Sequence, residues 1–141
     1  MSSCKWSLSH LVGPSIPNLL NVPGTIEVQS SGLLLARDVR WARSRRERSS
    51  GLLGSALYPG EALVIEPCKQ VHTLGMTFAI DVVFCDVSWV VRHLTLSMAP
   101  WRVSRLVLKS RFVVELPAGT VPPEVSHGEV LVARDQPCSD L

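Results

Sequence analysis

The apolar residues of this chain fall in short runs that polar turns rich in glycine and proline separate. Runs of about six apolar or alternating residues, bounded by turn signals, indicate β-strands. Residues 78–85 are apolar on both faces, so we predict a strand in the interior of a sheet there. The pattern predicts seven strands, at residues 25–29, 33–41, 61–66, 78–85, 89–96, 111–116 and 129–133.

Two segments break the strand pattern and indicate short helices. Residues 43–53 can form one, with Ser44 as its N-cap and Glu47 three residues later in the capping-box position. Thr120 can cap a second, one-turn helix, because Pro122 and Pro123 are tolerated in a first helical turn.

The order of these elements predicts the fold class. Strands and helices do not alternate, so a doubly wound parallel sheet is disfavoured. We predict an all-β or β-dominated single domain, a mostly antiparallel barrel or sandwich with one or two short helices. It is expected to span residues 25–134, between an irregular N-terminal arm at residues 1–24 and a loose tail at residues 135–141.

Composition narrows the class without naming a function. Hydrophobic residues make up 46% of the 141 residues and charged residues 18%, which is typical of a globular domain. A formal net charge of +2 gives no whole-domain argument for binding nucleic acid or a membrane. No apolar run approaches the roughly 20 residues of a spanning helix, so we expect a cytoplasmic protein without a membrane partner.

Several ordered motifs resemble those of a known family. They are Gly-Leu-Leu-Gly at 51–54, Pro-Gly-Glu-Ala-Leu at 59–63, Val-His-Thr at 71–73, Asp-Val-Val-Phe at 81–84, Pro-Trp-Arg at 100–102 and Val-Glu-Leu-Pro-Ala-Gly-Thr at 114–120. In this order they resemble the domain of unknown function family 192 over residues 33–132. The resemblance implies a compact β-rich domain with short helices at its side, and it brings no established activity.

The chain departs from that family at the loop before residues 81–84. Many relatives have Trp-Met-Lys-Asn-Thr there, whereas this chain has His72-Thr73-Leu74-Gly75-Met76. Ala79 also replaces a proline that is common among relatives. A role built on the family's tryptophan or asparagine therefore does not transfer to this chain.

Six polar or flexible side chains form the candidate binding site. His72 beside a carboxylate can act as a base or bind a metal. Asp81 lies in an apolar strand, where its charge needs a partner. We favour a structural role, in which the carboxylate accepts from backbone N–H groups of a loop or pairs with an arginine and so fixes the loop. The predicted site comprises His72, Thr73, Met76, Asp81, Arg102 and Glu115. Loops at the mouth of a small barrel frequently bind ligands.

Metal, cofactor and nucleophile signals are weak. Cys68 and His72 have a spacing that two metal ligands can use, but no third and fourth ligand follow, so no metal site is predicted. Cys68 or Cys85 beside His72 would resemble a Cys–His pair, although Cys85 is better explained as a small buried hydrophobe. The usual nucleotide-binding and hydrolase motifs are absent from the sequence, and no cofactor is predicted.

Basic residues cluster in two stretches. Six arginines lie within residues 37–48, and a second set, with Trp101, can line a groove: Arg92, Arg102, Arg105, Lys109 and Arg111. We interpret the first stretch mainly as a solvated helix face.

The sequence favours a non-catalytic module that binds a small polar ligand or a protein partner. The alternative is a hydrolytic enzyme that uses His72 with Asp81 or Glu115. Nucleic-acid binding through residues 37–48 is a third, less favoured function. The sequence leaves catalytic activity, the ligand and the oligomeric state open.

Overall fold

A computed structural model describes residues 24–52 and 56–135 of the chain. These residues form eight strands and one helix: β1 (Gly24–Val28), β2 (Leu34–Ala36), β3 (Asp38–Ala42), α1 (Arg45–Ser50), β4 (Glu61–Ile65), β5 (Ile80–Cys85), β6 (Val91–Met98), β7 (Phe112–Pro117) and β8 (Leu131–Asp135). The predicted arm and tail lie outside the described residues, except for Gly24 and Asp135, which belong to strands.

The strands form two sheets that confirm the predicted β-dominated class. One has three strands in the order β2-β1-β8, and the other has five in the order β3-β4-β7-β5-β6. All neighbouring pairs are antiparallel except β3 and β4, which are parallel and joined through α1. The described strands form a sandwich-like pair of sheets and no closed barrel.

The first hydrophobic core lies between the two sheets. The small sheet contributes Ile26 and Leu131, and the large sheet contributes Val83, Val114 and Leu116; each is at most 1% exposed. These large-sheet residues occupy alternate positions of β5 and β7, because successive side chains of a strand point to opposite faces.

A second core covers the opposite face of the large sheet. It includes Ile80, Phe84 and Val113 from the strands, with Leu52 after α1 and Met76 from the loop before β5. Both faces of the large sheet are therefore covered, which explains why all six residues of β5 are buried. The prediction of an interior strand at this position is confirmed.

The predicted single strand at residues 33–41 is wrong, because the chain forms two strands there. The backbone N–H groups of Arg37 and Asp38 both donate to the Gly60 carbonyl oxygen, at 2.9 and 3.1 Å. This pair of hydrogen bonds separates β2, which pairs with β1, from β3, which pairs with β4. One continuous apolar pattern thus serves two different sheets.

The predicted one-turn helix after Thr120 is also wrong, since residues 118–129 form successive turns. The backbone N–H of Thr120 donates to the Pro117 carbonyl, and that of Val125 donates to the Pro122 carbonyl. Each bond spans three residues, as in an isolated turn. Pro122 and Pro123 have no backbone N–H, so the first of these turns cannot continue through them as a helix.

The predicted cap of α1 is confirmed, although the helix is shorter than residues 43–53. The Ser44 hydroxyl accepts from the Glu47 N–H at 3.1 Å, and the Glu47 carboxylate accepts from the Ser44 N–H at 2.9 Å. The helix ends at Gly51, whose φ of 46° lies in the left-handed region. No helix in the described residues is long and apolar enough to span a membrane.

We expect Ser44→Ala to lower the free energy of unfolding by about 1 kcal/mol, because an N-cap side chain satisfies an otherwise unpaired helix N–H. Urea denaturation measures the change. Ser49→Ala in the same helix is the matched control, since its hydroxyl only bonds back to the Arg45 carbonyl and alanine is the better helix former. Equal destabilisation by both changes would contradict the assigned role of the cap.

Candidate functional site

Glu115 lies in the middle of β7 with its side chain on the face of the second core. Its neighbours across the sheet are Leu63 of β4 and Val82 of β5, both apolar. The residue is 4% exposed. The strand alternation that points Val114 and Leu116 into the first core therefore places a carboxyl group in an apolar environment.

The Glu115 carboxyl group has an unusual environment for its charge. Burial raises the pKa of Glu115 to about 7. Its Oε2 atom is buried and has no hydrogen-bond partner among the described residues. Buried polar atoms normally pair with protein groups or ordered water, and the described residues supply no partner for this one.

A small cavity of about 60 Å³ opens beside Glu115. It lies under the end of α1 and beside the loop between β4 and β5. Its lining includes the side chains that carry the chemistry of this region: Arg48, Cys68, Gln70, His72, Met76 and Glu115. We call this space the Glu115 cavity. Its volume admits only a few non-hydrogen atoms.

Arg48 places a second unpaired polar atom in the lining. Its Nη1 donates to the Pro67 carbonyl at 3.2 Å, which fixes the guanidinium. Its Nε is buried and has no hydrogen-bond partner in the described part of the chain. The residues of the cavity wall thus include an unpaired donor on Arg48 and an unpaired acceptor on Glu115.

The two described cysteines are free thiols that resist ionisation. Burial raises the pKa of the Cys68 thiol, the charge of Glu115 adds to this effect, and Cys68 donates to the Gln70 carbonyl at 3.2 Å. Burial raises the pKa of Cys85 to about 12. A nucleophilic role requires the thiolate, so both thiols are better explained by packing.

His72 reaches the cavity from an exposed position. Its Nδ1 accepts from the Leu74 N–H at 3.3 Å. In that arrangement a neutral ring carries its proton on Nε2. No hydrogen bond joins His72 to Glu115 among the described residues. No group of three His, Cys, Asp or Glu side chains in the described residues is arranged to hold a metal ion.

Thr73 joins two loops instead of lining the cavity. Its hydroxyl donates to the Ala99 carbonyl at 2.6 Å and accepts from the Arg102 N–H at 2.9 Å. The Arg102 side chain is exposed, and its Nη1 donates to the Trp101 carbonyl. Both residues thereby hold the loop after β6 against the loop before β5.

Asp81 lies on the opposite face of the sheet from Glu115. Its carboxylate accepts from the N–H groups of Ser97 at 2.8 Å, Gly119 at 3.1 Å and Val121 at 3.0 Å. The favoured explanation, a carboxylate that anchors loops, is confirmed. Of the six predicted site residues, the structure places His72, Met76 and Glu115 at one cavity and Thr73, Asp81 and Arg102 elsewhere.

Sequence reasoning did not assign Arg48 to this site. Arg48 is one of six arginines in residues 37–48, and nothing in the sequence separates it from the others. In the structure Arg48 lines the Glu115 cavity, whereas Arg43, Arg45 and Arg46 are exposed. Arg43 pairs with Glu66 at 3.1 Å and lies 4.2 Å over the Trp41 ring, and Arg45 and Arg46 form no salt bridge among the described residues. The six arginines therefore do not present one continuous basic face.

A second, wider cleft of about 270 Å³ was also missed by sequence reasoning. It lies at the edge of both sheets and is lined by three aromatic residues that pack on one another. Trp89 stacks on Phe112 with ring centroids 4.2 Å apart, and Trp41 meets both rings edge-on. The three aromatic rings are therefore packed against one another within the fold.

The fold and the cavity define a class: a small two-sheet β-domain with a crossover helix and a buried carboxyl group beneath it. The chain belongs to the DUF192 family, described as "Uncharacterized ACR", whose model matches residues 26–132. The resemblance found in the sequence is thereby confirmed. A comparison with curated proteins gives no match.

Two solved structures share this fold. One is described as a "putative transcription regulator" from Sinorhizobium meliloti 1021, with 22% identity, a TM-score of 0.62, and coverage of 78% of this chain and 91% of that one. The other is a protein of unknown function from Novosphingobium aromaticivorans DSM 12444, with 14% identity, a TM-score of 0.65, and coverage of 94% and 96%. At these identities the likeness shows the fold alone.

Proposed function

We propose that this domain is a non-catalytic module that binds a small polar ligand in the Glu115 cavity. The ligand presents a hydrogen-bond donor to Oε2 of Glu115 and an acceptor to Nε of Arg48. A hydroxyl, amide or amine group with a neighbouring acceptor has this chemistry. The small volume restricts the buried part of the ligand to a small molecule or a small terminal group.

The buried Oε2 of Glu115, which has no hydrogen-bond partner among the described residues, is the observation that carries the proposal. Burying a polar group without a hydrogen bond costs about 1–3 kcal/mol, and more when it is charged. An apolar side chain between Leu63 and Val82 would pack without this cost. A ligand that supplies the missing hydrogen bond recovers that free energy on binding, which gives the carboxyl a function.

The geometry supports binding better than hydrolysis. A hydrolytic dyad needs His72 oriented by a carboxylate. Here His72 accepts from the Leu74 N–H, and Asp81 is committed to three backbone N–H groups on the other face. The raised pKa of Cys68 also disfavours a thiolate nucleophile.

Thermal shift with a panel of small amides, amines and polyols tests the proposal. A ligand present at about one hundred times its Kd adds about 3 kcal/mol to the free energy of unfolding, which raises Tm by several degrees. The same compound should leave the Tm of Glu115→Leu unchanged. Glu124→Leu, at an exposed glutamate, is the matched control and should respond like the wild-type protein.

Two outcomes would contradict this function. One is an equal shift for the wild-type protein and Glu115→Leu, which would place the ligand elsewhere. The other is turnover of an ester or amide substrate that His72→Ala abolishes while the fold persists. That result would favour the hydrolytic alternative.

A further inference from the structure

The loop between β6 and β7 exposes a set of large apolar side chains. Four of them are more than half exposed: Trp101 at 65%, Val103 at 58%, Leu106 at 54% and Leu108 at 71%. Single exposed apolar residues are common, whereas a contiguous exposed apolar patch marks an interaction surface. We call residues 101–109 the apolar loop.

The exposure of these side chains is built into the fold. The backbone N–H groups of Trp101, Ser104 and Val107 donate to carbonyls of the loop before β5, at 2.8–2.9 Å. Val107 packs against the second core, which directs its neighbours Leu106 and Leu108 outward. The loop therefore holds its apolar side chains in water instead of collapsing them onto the domain.

Trp101 has a backbone conformation that supports the same interpretation. Its φ of 61° lies in the left-handed region, which residues with a side chain rarely adopt. Hydrogen bonds from Trp101 N–H to the Thr73 carbonyl and from Arg102 N–H to the Thr73 hydroxyl hold it there. The strained backbone and these hydrogen bonds fix the position of the exposed indole.

Cationic side chains alternate with these apolar residues. Arg102, Arg105 and Lys109 are exposed and form no salt bridge among the described residues. An open groove of about 440 Å³ lies beside the loop, lined by Arg92, His93, Arg105, Leu106, Val107, Leu108, Lys109 and His127. Basic and apolar groups thus share one surface.

The titratable and charged side chains that line this groove interact with one another. Burial, and then the charges of Arg105 and His127, lower the pKa of His93. Arg92 is the one groove cation with an acidic partner in the described residues, and it pairs with Asp86 at 2.7 Å. The remaining positive charge of Arg105 and Lys109 is available to an anionic partner.

We propose that the apolar loop docks on the surface of an anionic lipid bilayer. Trp101, Leu106 and Leu108 would enter the boundary between headgroups and acyl chains, where indole and aliphatic side chains are stabilised. Arg102, Arg105 and Lys109 would meet the lipid phosphates. A second copy of the chain is a poorer occupant, because it would bring the same positive charges together.

The sequence predicted no membrane partner, and its net charge of +2 gave no whole-domain argument for one. That sum averages over acidic residues elsewhere in the chain. The tertiary structure brings positive charge and apolar area onto one surface, and local surface charge determines attraction to anionic lipids. The inference concerns surface docking and is independent of the ligand proposed for the Glu115 cavity.

Co-sedimentation with vesicles tests the inference. We expect the full chain to bind phosphatidylcholine vesicles that contain phosphatidylglycerol and not vesicles of phosphatidylcholine alone. Binding should weaken as salt rises, because exposed charges are screened. The tryptophan emission should shift to the blue on binding as the Trp101 indole leaves water, and Trp101→Phe, which keeps the other three tryptophans, should abolish that shift.

Variants separate the contributions of the apolar and the cationic side chains to the partition coefficient between vesicles and water. Leu106→Ser with Leu108→Ser is expected to lower it about tenfold or more. Arg105→Ala with Lys109→Ala is expected to lower it about thirtyfold at low salt. Tyr58→Ser, at an aromatic residue that is 66% exposed outside the loop, and Arg45→Ala with Arg46→Ala are the matched controls and should bind like the wild-type protein.

Three results would overturn the inference. The wild-type protein could fail to bind the anionic vesicles, or both double variants could bind as tightly as the wild-type protein. Alternatively, sedimentation velocity without lipid could show dimers that Leu106→Ser with Leu108→Ser dissociates, which would assign the surface to a second copy. Circular dichroism and Tm confirm that each variant is folded before its binding is compared.

Discussion

Replacing Asp81 with alanine is expected to lower the free energy of unfolding by about 3–5 kcal/mol. The carboxylate is 1% exposed and accepts three hydrogen bonds, from the N–H groups of Ser97, Gly119 and Val121. Alanine leaves these donors without their acceptor, and buried unpaired N–H groups are strongly destabilising. Urea denaturation with linear extrapolation measures the change.

Asparagine at position 81 refines the same test. Its single carbonyl oxygen can accept from one side, but its NH₂ group then faces donors on the other side. We expect Asp81→Asn to recover only part of the lost stability. Asp38→Ala, at an exposed aspartate of β3, is the control and should change the free energy by less than about 0.5 kcal/mol.

The stability of Asp81→Ala also decides whether the face of the large sheet that carries Asp81 belongs to the candidate site. If Asp81→Ala were within about 1 kcal/mol of the wild-type protein, the carboxylate would not be the anchor that its hydrogen bonds indicate. A ligand role for Asp81 would then return to consideration. If the predicted loss is found, Asp81 fixes the strand ends and the following turns, and the candidate site contracts to the Glu115 cavity.

Replacing Glu115 with glutamine is expected to change the pH dependence of stability. The pKa of Glu115 is about 7 in the folded protein and 4.5 ordinarily, so the folded state binds the proton more tightly. Its favourable contribution is fully present below pH 4.5 and is lost as the pH rises through 7. The difference between the two pKa values corresponds to about 3 kcal/mol.

Glutamine is neutral at every pH, so the variant lacks the pH-dependent contribution of Glu115 to the free energy of unfolding. The free energy of unfolding of the wild-type protein minus that of Glu115→Gln should therefore fall by about 3 kcal/mol between pH 4 and 8. The lowered pKa of Asp86 gives a pH dependence of the opposite sign, and the subtraction removes it because both proteins contain that residue. Parallel stability curves for the two proteins would be incompatible with a raised pKa.

The pKa of Glu115 also connects stability with the proposed ligand. A ligand that donates to Oε2 interacts more strongly with a carboxylate than with a protonated carboxyl group. Binding should therefore lower the pKa of Glu115 and strengthen as the pH rises through 7. The carboxyl group that weakens the free domain in this range becomes the group that binds the ligand.

The site was partly visible in the sequence. His72, Met76 and Glu115 belong to the six-residue site that was predicted because loops at the mouth of a small barrel often bind ligands, and the structure places these three at one cavity. Arg48 was not predicted there, because a helix arginine has the same sequence signal whether it points to water or into a cavity. For the apolar loop, the sequence likewise predicted only that its basic residues and Trp101 can line a groove. The exposure of its leucines was not predicted, since the sequence does not show which leucines remain in solvent.

The sequence by itself determined the local elements and the family. Alternating and continuous apolar runs identified most strands, because the strand period of two is a local property. The serine and glutamate of the capping box identified the start of α1 for the same reason. The order of the motifs across residues 33–132 identified the family, whose model matches residues 26–132.

Only the tertiary structure decided which faces meet. The division of residues 33–41 between two sheets depends on hydrogen bonds to Gly60, more than twenty residues away from β2. The opposite placement of Asp81 and Glu115 depends on the register between β5 and β7, which pairs Val82 with Glu115. Burial, pairing and pKa are properties of the groups that surround a side chain, and those groups come from distant parts of the chain.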